Sequence, residues 1–448
     1  MNTSLLNRSL GSLSPRELQN NEHARLLHAI QPTQIKFDRL VTTLDDSKDE
    51  VAHNGGTNTI VIDKFEGKYL LSGGADATIA IWDLEQPAET SPPSHRPLGT
   101  IPKSEANHTY GVTHLSFYPF DSLAFLSSSY DHTVKIWSSE TLQPSASFSL
   151  DAIVYSHALS PIASHLLVAC AIQHPSVRLV DLRSGSSTHS LAGHNGAVLS
   201  VAWSPVEEHV LCSAGTDGTA RFWDVRKSNS SLGVLDKEDS VGILGYDGHG
   251  RGARGRQRGK AHNGPVNGVV WTEDGRHVVT VGHDEKIRVW DVIRGANTLA
   301  NFGPIIKNSG LSTLLPLMAP MSTTAPGKDV LFFPSEKEVL MYEVFEGRLM
   351  KRLRTPRTGQ DMPNDAPAKT GRVVKNRTMA LAWRAHEIEL YSAHGDGMIR
   401  AWKPRTSEDA MFEEWENEEQ REREDERKRK RQVLEDVYQE LTKRRAFG

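Results

Sequence analysis

Histidine and aspartate side chains recur at fixed distances before a tryptophan, and such pairs could serve as acid–base groups or metal ligands. An aspartate lies six residues before the tryptophan in five segments, at Asp76, Asp131, Asp217, Asp284 and Asp396 before Trp82, Trp137, Trp223, Trp290 and Trp402. A histidine lies 29 residues before the first three of these tryptophans and 28 before the fourth, at His53, His108, His194 and His262. A spacing repeated this often indicates a repeated structural unit.

Two weaker units complete the series. SVRLVDLR has Val180 at the tryptophan position and His174 at the aspartate position, and VLMYEVFEG likewise has Tyr342 and Glu336. Each unit contains apolar runs of strand length separated by turn residues. Seven such units resemble the four-stranded blades of a WD-repeat β-propeller. The predicted fold class is all-β, a seven-bladed WD-repeat β-propeller, and the two units without tryptophan are expected to form less regular blades.

This resemblance implies a structural role for the recurring residues. In WD repeats the histidine, a strand serine or threonine, the aspartate and the tryptophan form a hydrogen-bonded set inside the blade. In one unit the matching residues are His194, Ser213, Asp217 and Trp223. The sequence also lacks a P-loop, a Rossmann glycine fingerprint, a G-x-S-x-G segment, H-E-x-x-H and C-x-x-C. We therefore expect no catalytic residue, no metal site and no cofactor, and a protein that is not an enzyme.

Composition bounds the compartment and the partners. The 448 residues are 38% hydrophobic and 24% charged, with a formal net charge of −4, so no global field favours nucleic acid or membrane. Cys170 and Cys212, the two cysteines, lie in apolar runs and favour a reducing compartment. We expect no membrane span and no signal peptide. The basic tract GRGARGRQRGK (250–260) predicts either a weak nucleic-acid contact or a solvated insertion.

Three regions are expected along the chain. Residues 1–33 form an N-terminal arm with a helix at 14–30, in which Ser14 and Glu17 make a capping box. The propeller spans 34–405, with 34–44 as the strand that closes the last blade. Segments 86–107, 227–261, 303–328 and 354–371 are expected to be mobile loops. Residues 406–448 are expected to form a long charged helical extension.

Each end carries a candidate interaction segment. Leu18, Leu26 and Ile30 form an apolar stripe on the N-terminal helix, which either packs on its own propeller or docks into a partner. The run Arg427, Lys428, Arg429, Lys430 and Arg431 is a candidate nuclear localisation signal, with a solvated charged helix as the alternative.

The segment HVLCSAGTDGTARFWDVR ends in a short motif that points to a partner. Trp223-Asp224-Val225-Arg226 matches the WDxR box of the substrate receptors of the cullin-4 ubiquitin ligase, and Asp181-Leu182-Arg183 is a partial second copy. Segments outside the repeat consensus, such as VYSHALSP (154–161) and ANTLANFG (296–303), extend the likeness. Over about 53–405 the chain resembles the Cockayne syndrome A family, WD-repeat receptors of that ligase in transcription-coupled DNA repair.

The resemblance implies a nuclear protein with named partners. These are the large cullin-4 ligase adaptor of the DDB family, a Cockayne syndrome B-like remodelling ATPase and the RNA polymerase II elongation complex. Adaptor binding is expected at Arg226, Asp224, Arg183, Leu18, Leu26 and Ile30, since such receptors often insert an N-terminal helix into the adaptor. The alternative is a WD-repeat scaffold in chromatin or RNA processing without a ligase.

Overall fold

The computed structural model describes residues 3–33, 35–38, 51–86, 94–162, 164–227, 231–239, 259–354, 377–384 and 386–405. These residues form seven four-stranded antiparallel sheets and one two-stranded parallel pair. Each sheet is a blade, and within a blade the strands are called inner, second, third and outer. The predicted seven-bladed β-propeller is confirmed.

Blades 1 to 4 follow one another along the chain. Their strands, in order from inner to outer, are Thr57–Ile62, Tyr69–Gly74, Ile79–Asp83 and Pro97–Ile101; Val112–Phe117, Ala124–Ser129, Thr133–Ser138 and Pro144–Ser149; Val154–Leu159, Leu167–Ile172, Ser176–Asp181 and Ser186–Ala192; Val198–Trp203, Val210–Gly215, Ala220–Asp224 and Ser231–Val234.

Blades 5 to 7 complete the ring. Their strands, in the same order, are Val266–Trp271, His277–Gly282, Lys286–Asp291 and Ala296–Asn297; Leu317–Met318, Val330–Pro334, Glu338–Glu343 and Leu349–Arg354; Thr378–Trp383, Leu390–His394, Ile399–Pro404 and Ile30–Pro32. The seven predicted marker residues all lie on third strands. Each of the five marker tryptophans is at most 1% exposed, because neighbouring sheets pack face to face around it.

The strand that closes the ring differs from the predicted one. Ile30–Pro32, not 34–44, is the outer strand of blade 7, and the Thr33 amide donates to the Ala401 carbonyl oxygen at 2.9 Å. The chain becomes extended at Ile30, directly after the helix, so it pairs before residue 34 is reached. Within the predicted segment, Lys36–Phe37 pairs instead with Ser94–His95.

Blade regularity does not follow the tryptophan. Blade 3, which lacks it, has four strands of six or seven residues, so the prediction of an irregular blade is wrong there. Blade 6 has a two-residue inner strand, Leu317–Met318, and blade 5 has a two-residue outer strand despite Trp290. Apolar packing holds blade 3, where Cys170, Val177 and Val180 are fully buried.

Part of the predicted mobile loop 303–328 is packed inside the ring. Ile306 and Leu314 are at most 1% exposed. The Thr313 hydroxyl donates to the carbonyl oxygens of Tyr155 and Leu199, in the inner strands of blades 3 and 4. This segment precedes blade 6, so it crosses the centre of the propeller. The predicted loops 86–107 and 227–261 likewise include outer strands, Pro97–Ile101 and Ser231–Val234.

The chain divides into two units, Met1–Lys403 and Pro404–Gly448. The predicted helix over 406–448, with its basic run 427–431, lies outside the described residues. So does most of the basic tract 250–260, of which only Gly259 and Lys260 are described. Helices span Thr3–Ser9 and Pro15–Ala29, and a 3-10 turn spans Met321–Thr323.

Candidate interaction face

A hydrogen-bonded chain runs through the interior of blade 4. The Trp223 indole donates to the Ser213 hydroxyl at 2.7 Å, and that hydroxyl lies 2.7 Å from His194 Nε2. His194 Nδ1 lies 3.2 Å from the Asp217 carboxylate. Because an indole N–H can only donate and a carboxylate can only accept, the proton order is set from Trp223 through Ser213 and His194 to Asp217. These groups are fully engaged with one another, which is a structural role.

Blades 2 and 5 contain the same chain, and in blade 1 the link from His53 Nδ1 to Asp76 runs through the Thr78 hydroxyl, which lies 2.7 Å from His53 and donates to Asp76 at 2.6 Å. The indoles of Trp82, Trp137 and Trp290 donate to Ser72, Ser127 and Thr280, each of which also bonds the histidine. Partial burial pushes the pKa of Asp131 upward, but its bonds from His108 and Thr133 outweigh this and lower the pKa to about 2. The pKa values of Asp76, Asp217 and Asp284 are lowered well below the usual range in the same way.

Blade 7 builds the set from a different histidine. The Trp402 indole donates to Ser392 at 2.8 Å, and Ser392 bonds His394, which lies on the same strand. Asp396 is engaged by Arg400 at 2.9 Å rather than by a histidine. Burial holds the pKa of His394 well below its usual value. The sequence pattern does not include His394, because the histidine of that pattern lies upstream of the blade, whereas His394 lies on the second strand of blade 7.

The connections between strands define two ends of the ring. Adjacent strands are antiparallel, so the inner–second and third–outer connections of every blade lie at one end, here called the Arg226 face. Arg226 follows the third strand of blade 4. The helix Pro15–Ala29 packs against Met321–Thr323, which lies in the inner–second connection of blade 6. The helix and Arg226 therefore lie at the same end of the ring.

Arg226 is exposed but held in one orientation. Its side chain is 65% exposed, whereas that of Asp224 is 6% exposed. Arg226 Nε and Nη2 donate to the two Asp224 oxygens at 3.0 and 2.9 Å, and the Arg226 amide donates to the same carboxylate. These hydrogen bonds lower the pKa of Asp224. In the partial motif of blade 3 the exposed Arg183 donates its amide to Asp181 at 2.9 Å.

Exposed apolar side chains are distributed over several blades at this end of the ring. The inner–second and third–outer connections of the described residues expose a set of large hydrophobic side chains by 42% to 70%: Phe65, Phe120, Leu123, Ile162, Val206, Ile293 and Met321. A 720 Å³ groove between blades 4 and 5 is bordered by Val206 and Ile293. Exposed apolar side chains are more numerous at this end than at the opposite end, where Tyr110, Tyr130 and Leu311 are 38% to 64% exposed, and this makes the Arg226 face a candidate protein-binding surface.

The N-terminal helix packs on its own propeller, which is one of the two roles that the sequence left open. Ser14 caps it, and Glu17 completes the capping box. Ile30 is fully buried among core residues of blades 6 and 7, so assigning Ile30 to partner binding was wrong. Leu27, which the sequence analysis missed, is buried in the same cluster, three residues before Ile30 at helical spacing. Leu18 and Leu26 remain half-buried.

Three other kinds of site bear on function: a metal site, a membrane-spanning helix and a reactive cysteine. No group of three or more His, Cys, Asp or Glu side chains there could hold a metal ion. No helix in the described part of the chain is long and apolar enough to cross a membrane. Cys170 and Cys212 are buried, and burial raises the pKa of the Cys170 thiol to about 12.

The class of protein follows from the fold together with a comparison with a protein-family model. The WD domain, G-beta repeat family model matches residues 51–83, 97–138, 185–224 and 255–291. The second and third matches begin at or just before the outer strand of one blade and end in the third strand of the next, and the fourth begins after the outer strand of blade 4 and ends in the third strand of blade 5. The chain is a WD-repeat β-propeller protein.

Individual relatives narrow the comparison. The chain is 29% identical to WD repeat-containing protein ATCSA-1 of Arabidopsis thaliana, over 89% of this chain and 97% of the relative. It is 25% identical to Radiation-sensitive protein 28 of Saccharomyces cerevisiae, over 42% of this chain and 39% of that protein. It is also 27% identical to Ribosome biogenesis protein YTM1 of Phaeosphaeria nodorum, over 57% and 58% respectively.

Proposed function

We propose that this protein is a substrate-receptor subunit of a cullin-4-type ubiquitin ligase that acts in transcription-coupled nucleotide excision repair. The observation that carries the proposal is the Arg226 turn, an exposed guanidinium fixed by a buried carboxylate on the face that also bears the N-terminal helix. In this role the propeller carries no catalytic centre and acts by bringing other proteins together.

The geometry of Arg226 suits a hot spot of binding. Both bonds to Asp224 use one edge of the guanidinium, so its remaining N–H groups point outward to acceptors on a partner. Asp224 also holds the side chain in place before binding, which reduces the conformational entropy lost in the complex. A preoriented arginine on a face that also exposes apolar side chains matches the residue types that dominate protein interfaces.

The spread of exposed apolar turns over six blades also supports binding to a large adaptor. A stable specific interface buries about 1,600 Å² in total. The exposed apolar turns lie on blades 1 to 6, and the N-terminal helix extends the same end of the ring. Leu26 and Leu18 retain exposed surface for a partner, while Leu27 and Ile30 fasten the base of the helix to the propeller.

The relatives support the repair pathway. The likeness to ATCSA-1 over 89% of this chain agrees with the Cockayne syndrome A family, and the name of the yeast relative refers to radiation sensitivity. We therefore assign the adaptor, a Cockayne syndrome B-like ATPase and the RNA polymerase II elongation complex as partners. Nuclear localisation belongs to the same proposal, with residues 427–431 as the signal. A fluorescent fusion that remains nuclear after this run is replaced by alanine would refute that signal.

The decisive experiment measures binding of the purified adaptor to Arg226→Ala. We expect a loss of about thirtyfold in affinity, as for an interface hot spot. Arg354→Ala is the matched control, because Arg354 is also 65% exposed and bonds a carboxylate, Glu338, at 2.9 Å, but at the opposite end of the ring. Equal affinities of the two variants, with unchanged melting temperatures, would rule out adaptor binding through Arg226.

The helix is tested with two charged substitutions. Leu26→Glu is expected to weaken adaptor binding with little change in thermal stability, because Leu26 is half-exposed. Ile30→Glu is expected to destabilise the isolated protein by about 3 kcal/mol or more, because it places a charge in the core of blades 6 and 7. Thermal unfolding and adaptor titration are measured on both. Unchanged binding by Leu26→Glu would restrict the helix to a structural role.

A second candidate function rests on the likeness to Ribosome biogenesis protein YTM1. That likeness fits a WD-repeat scaffold in RNA processing without a ligase. Sucrose-gradient sedimentation of cell extracts distinguishes the two, because a ribosome-assembly scaffold would migrate with large ribonucleoprotein particles. A receptor would instead migrate with the adaptor and be released by Arg226→Ala.

A further inference from the structure

The outer strands of four blades share one buried contact. The position three residues before the marker faces an outer-strand residue in the pairs Ile79–Ile101, Val134–Phe148, Val177–Leu191 and Val339–Leu353. All four outer-strand side chains are at most 8% exposed. A large apolar residue of the outer strand therefore covers the edge of the third strand in these blades.

Blade 5 lacks this contact. Its outer strand, Ala296–Asn297, pairs only with Trp290 and Asp291, and the last bond runs from the Thr298 amide to the Val289 carbonyl oxygen at 2.9 Å. Leu299 then has φ +62°, a left-handed conformation that turns the chain away from the sheet. This segment is part of ANTLANFG, which the sequence analysis singled out as lying outside the repeat consensus.

The turn leaves part of a strand edge without a partner. The backbone N–H and C=O of Val289 point towards the outer strand. Because the direction of these groups alternates from one residue to the next along a strand, those of Ile287 point the same way. In the described part of the chain no hydrogen bond reaches the outward N–H or C=O of Ile287, although the residue is only 3% exposed. Backbone groups buried this deeply are nearly always paired.

The diverging segment is fixed to blade 6, and its Phe302 belongs to the same buried cluster as Ile287 and Val289. The Phe302 ring packs edge-on against Tyr342, with centroids 5.2 Å apart. Gly347, at φ +67°, lies so close that a Cβ there would be 2.4 Å from the Asn301 carbonyl oxygen. A groove of 600 Å³ separates the segment from the strand edge, lined by Lys286, Ile287 and Arg288 on one side and by Leu299, Ala300 and Phe302 on the other.

We propose that this groove binds an extended segment of a partner polypeptide, which adds to blade 5 as an antiparallel outer strand. The partner's main chain would pair with the N–H and C=O of Ile287, the mode known as β-strand addition. The outer strands of blades 1, 2, 3 and 6 indicate which side chain the partner needs, namely an aliphatic or aromatic residue facing Ile287. The site lies on the outer edge of blade 5, and it requires no ligase adaptor.

A selection from a random peptide library against the full-length protein tests the proposal. We expect enriched peptides with an aliphatic or aromatic residue at one fixed position within an alternating pattern. N-methylation of the peptide amide that faces Ile287 should weaken binding about tenfold, whereas N-methylation of the next amide, which faces away, should not. Fluorescence anisotropy measures both peptides.

Matched protein variants and hydrogen exchange complete the test. Ala300→Trp fills the groove and should abolish peptide binding, whereas Ala146→Trp, on the fully paired outer strand of blade 2, should not. The Ile287 amide should exchange faster than that of Val134 in the free protein and become protected by the peptide. Absence of enriched peptides, insensitivity to N-methylation or to Ala300→Trp, or protection of Ile287 in the free protein would each overturn the proposal.

Discussion

Blades 3 and 4 end their third strands with the same turn but differ in the interior. Asp181-Leu182-Arg183 and Asp224-Val225-Arg226 occupy equivalent positions. Blade 4 contains the full hydrogen-bonded set, whereas blade 3 has Val180 in place of Trp223 and Cys170 in place of Ser213. Both blades nevertheless have four strands.

The difference teaches that the interior set and the surface turn are separable. In blade 3 buried Cys170, Val177 and Val180 replace an indole and its polar partners, and the sheet remains regular. A blade can therefore be stabilised by apolar contact alone, because burial rather than hydrogen bonding supplies most of the net free energy. The same surface turn can therefore follow either kind of interior.

The largest expected effect is on the two marker residues. Trp223→Ala should lower the free energy of unfolding by about 3–5 kcal/mol, since it removes a buried indole and leaves the Ser213 hydroxyl oxygen without its donor. Val180→Ala should cost about 2 kcal/mol, for a smaller cavity with no polar group exposed. Urea unfolding followed by circular dichroism measures both, and equal costs would remove the distinction between the blades.

Acidification should destabilise the protein through His114 in blade 2 and His157 in blade 3, which have no carboxylate partner in the described part of the chain. Among the described residues His157 bonds Ser116 and Ser128, its ring centroid lies 4.8 Å from that of His114, and burial lowers the pKa of His114 to about 4. Below pH 6.5 the unfolded chain binds a proton that the folded protein does not, so stability is lost as the pH falls from about 6.5 to about 4.

For His114 this loss reaches about 3 kcal/mol at most, at about 1.4 kcal/mol for each pKa unit. Urea unfolding across this pH range, on the original protein and on His157→Gln, provides the measurement. The variant should lose less stability on acidification, because the His157 pKa is also lowered well below its usual value by burial and by the neighbouring His114. Identical pH profiles would show that the pair does not control acid stability.

Reciprocal exchanges at one strand position give a smaller effect. Ser213→Ala should cost about 1–3 kcal/mol, because the Trp223 N–H and His194 Nε2 then lack a buried partner. Cys170→Ser should also destabilise, since it places a hydroxyl in an apolar interior, whereas Cys170→Ala should cost less than Ser213→Ala. Thermal melts of the three variants check the order, and a neutral Ser213→Ala would contradict the role assigned to the set.

The smallest effect concerns the partial motif. Arg183→Ala should weaken adaptor binding by about threefold, against about thirtyfold for Arg226→Ala, because the Arg226 guanidinium is fixed by two bonds to a carboxylate, whereas the described contact of Arg183 with Asp181 is made by its backbone amide. Titration of the adaptor against each single variant and the double variant gives the comparison. A loss for Arg183→Ala as large as that for Arg226→Ala would make the two turns equivalent.

The sequence alone determined the repeated architecture, because its signals are local. A tryptophan six residues after an aspartate, a histidine at a fixed distance before it, and turn residues between apolar runs define one blade each. All seven markers, including Val180 and Tyr342, could therefore be placed on third strands. The capping box of Ser14 and Glu17 is local as well, since its partners lie three residues apart.

Tertiary structure decided the features that depend on residues far apart in the chain. Thr33 bonds Ala401, Thr313 bonds Tyr155, and Ile30 packs into blades 6 and 7, and no short sequence pattern predicts such pairings. Closure of the ring selects which early segment becomes the last strand, and the space at its centre selects which connection is buried. The unpaired strand edge at Ile287 likewise exists because residues 301 and 302 pack against blade 6 instead of continuing the outer strand of blade 5.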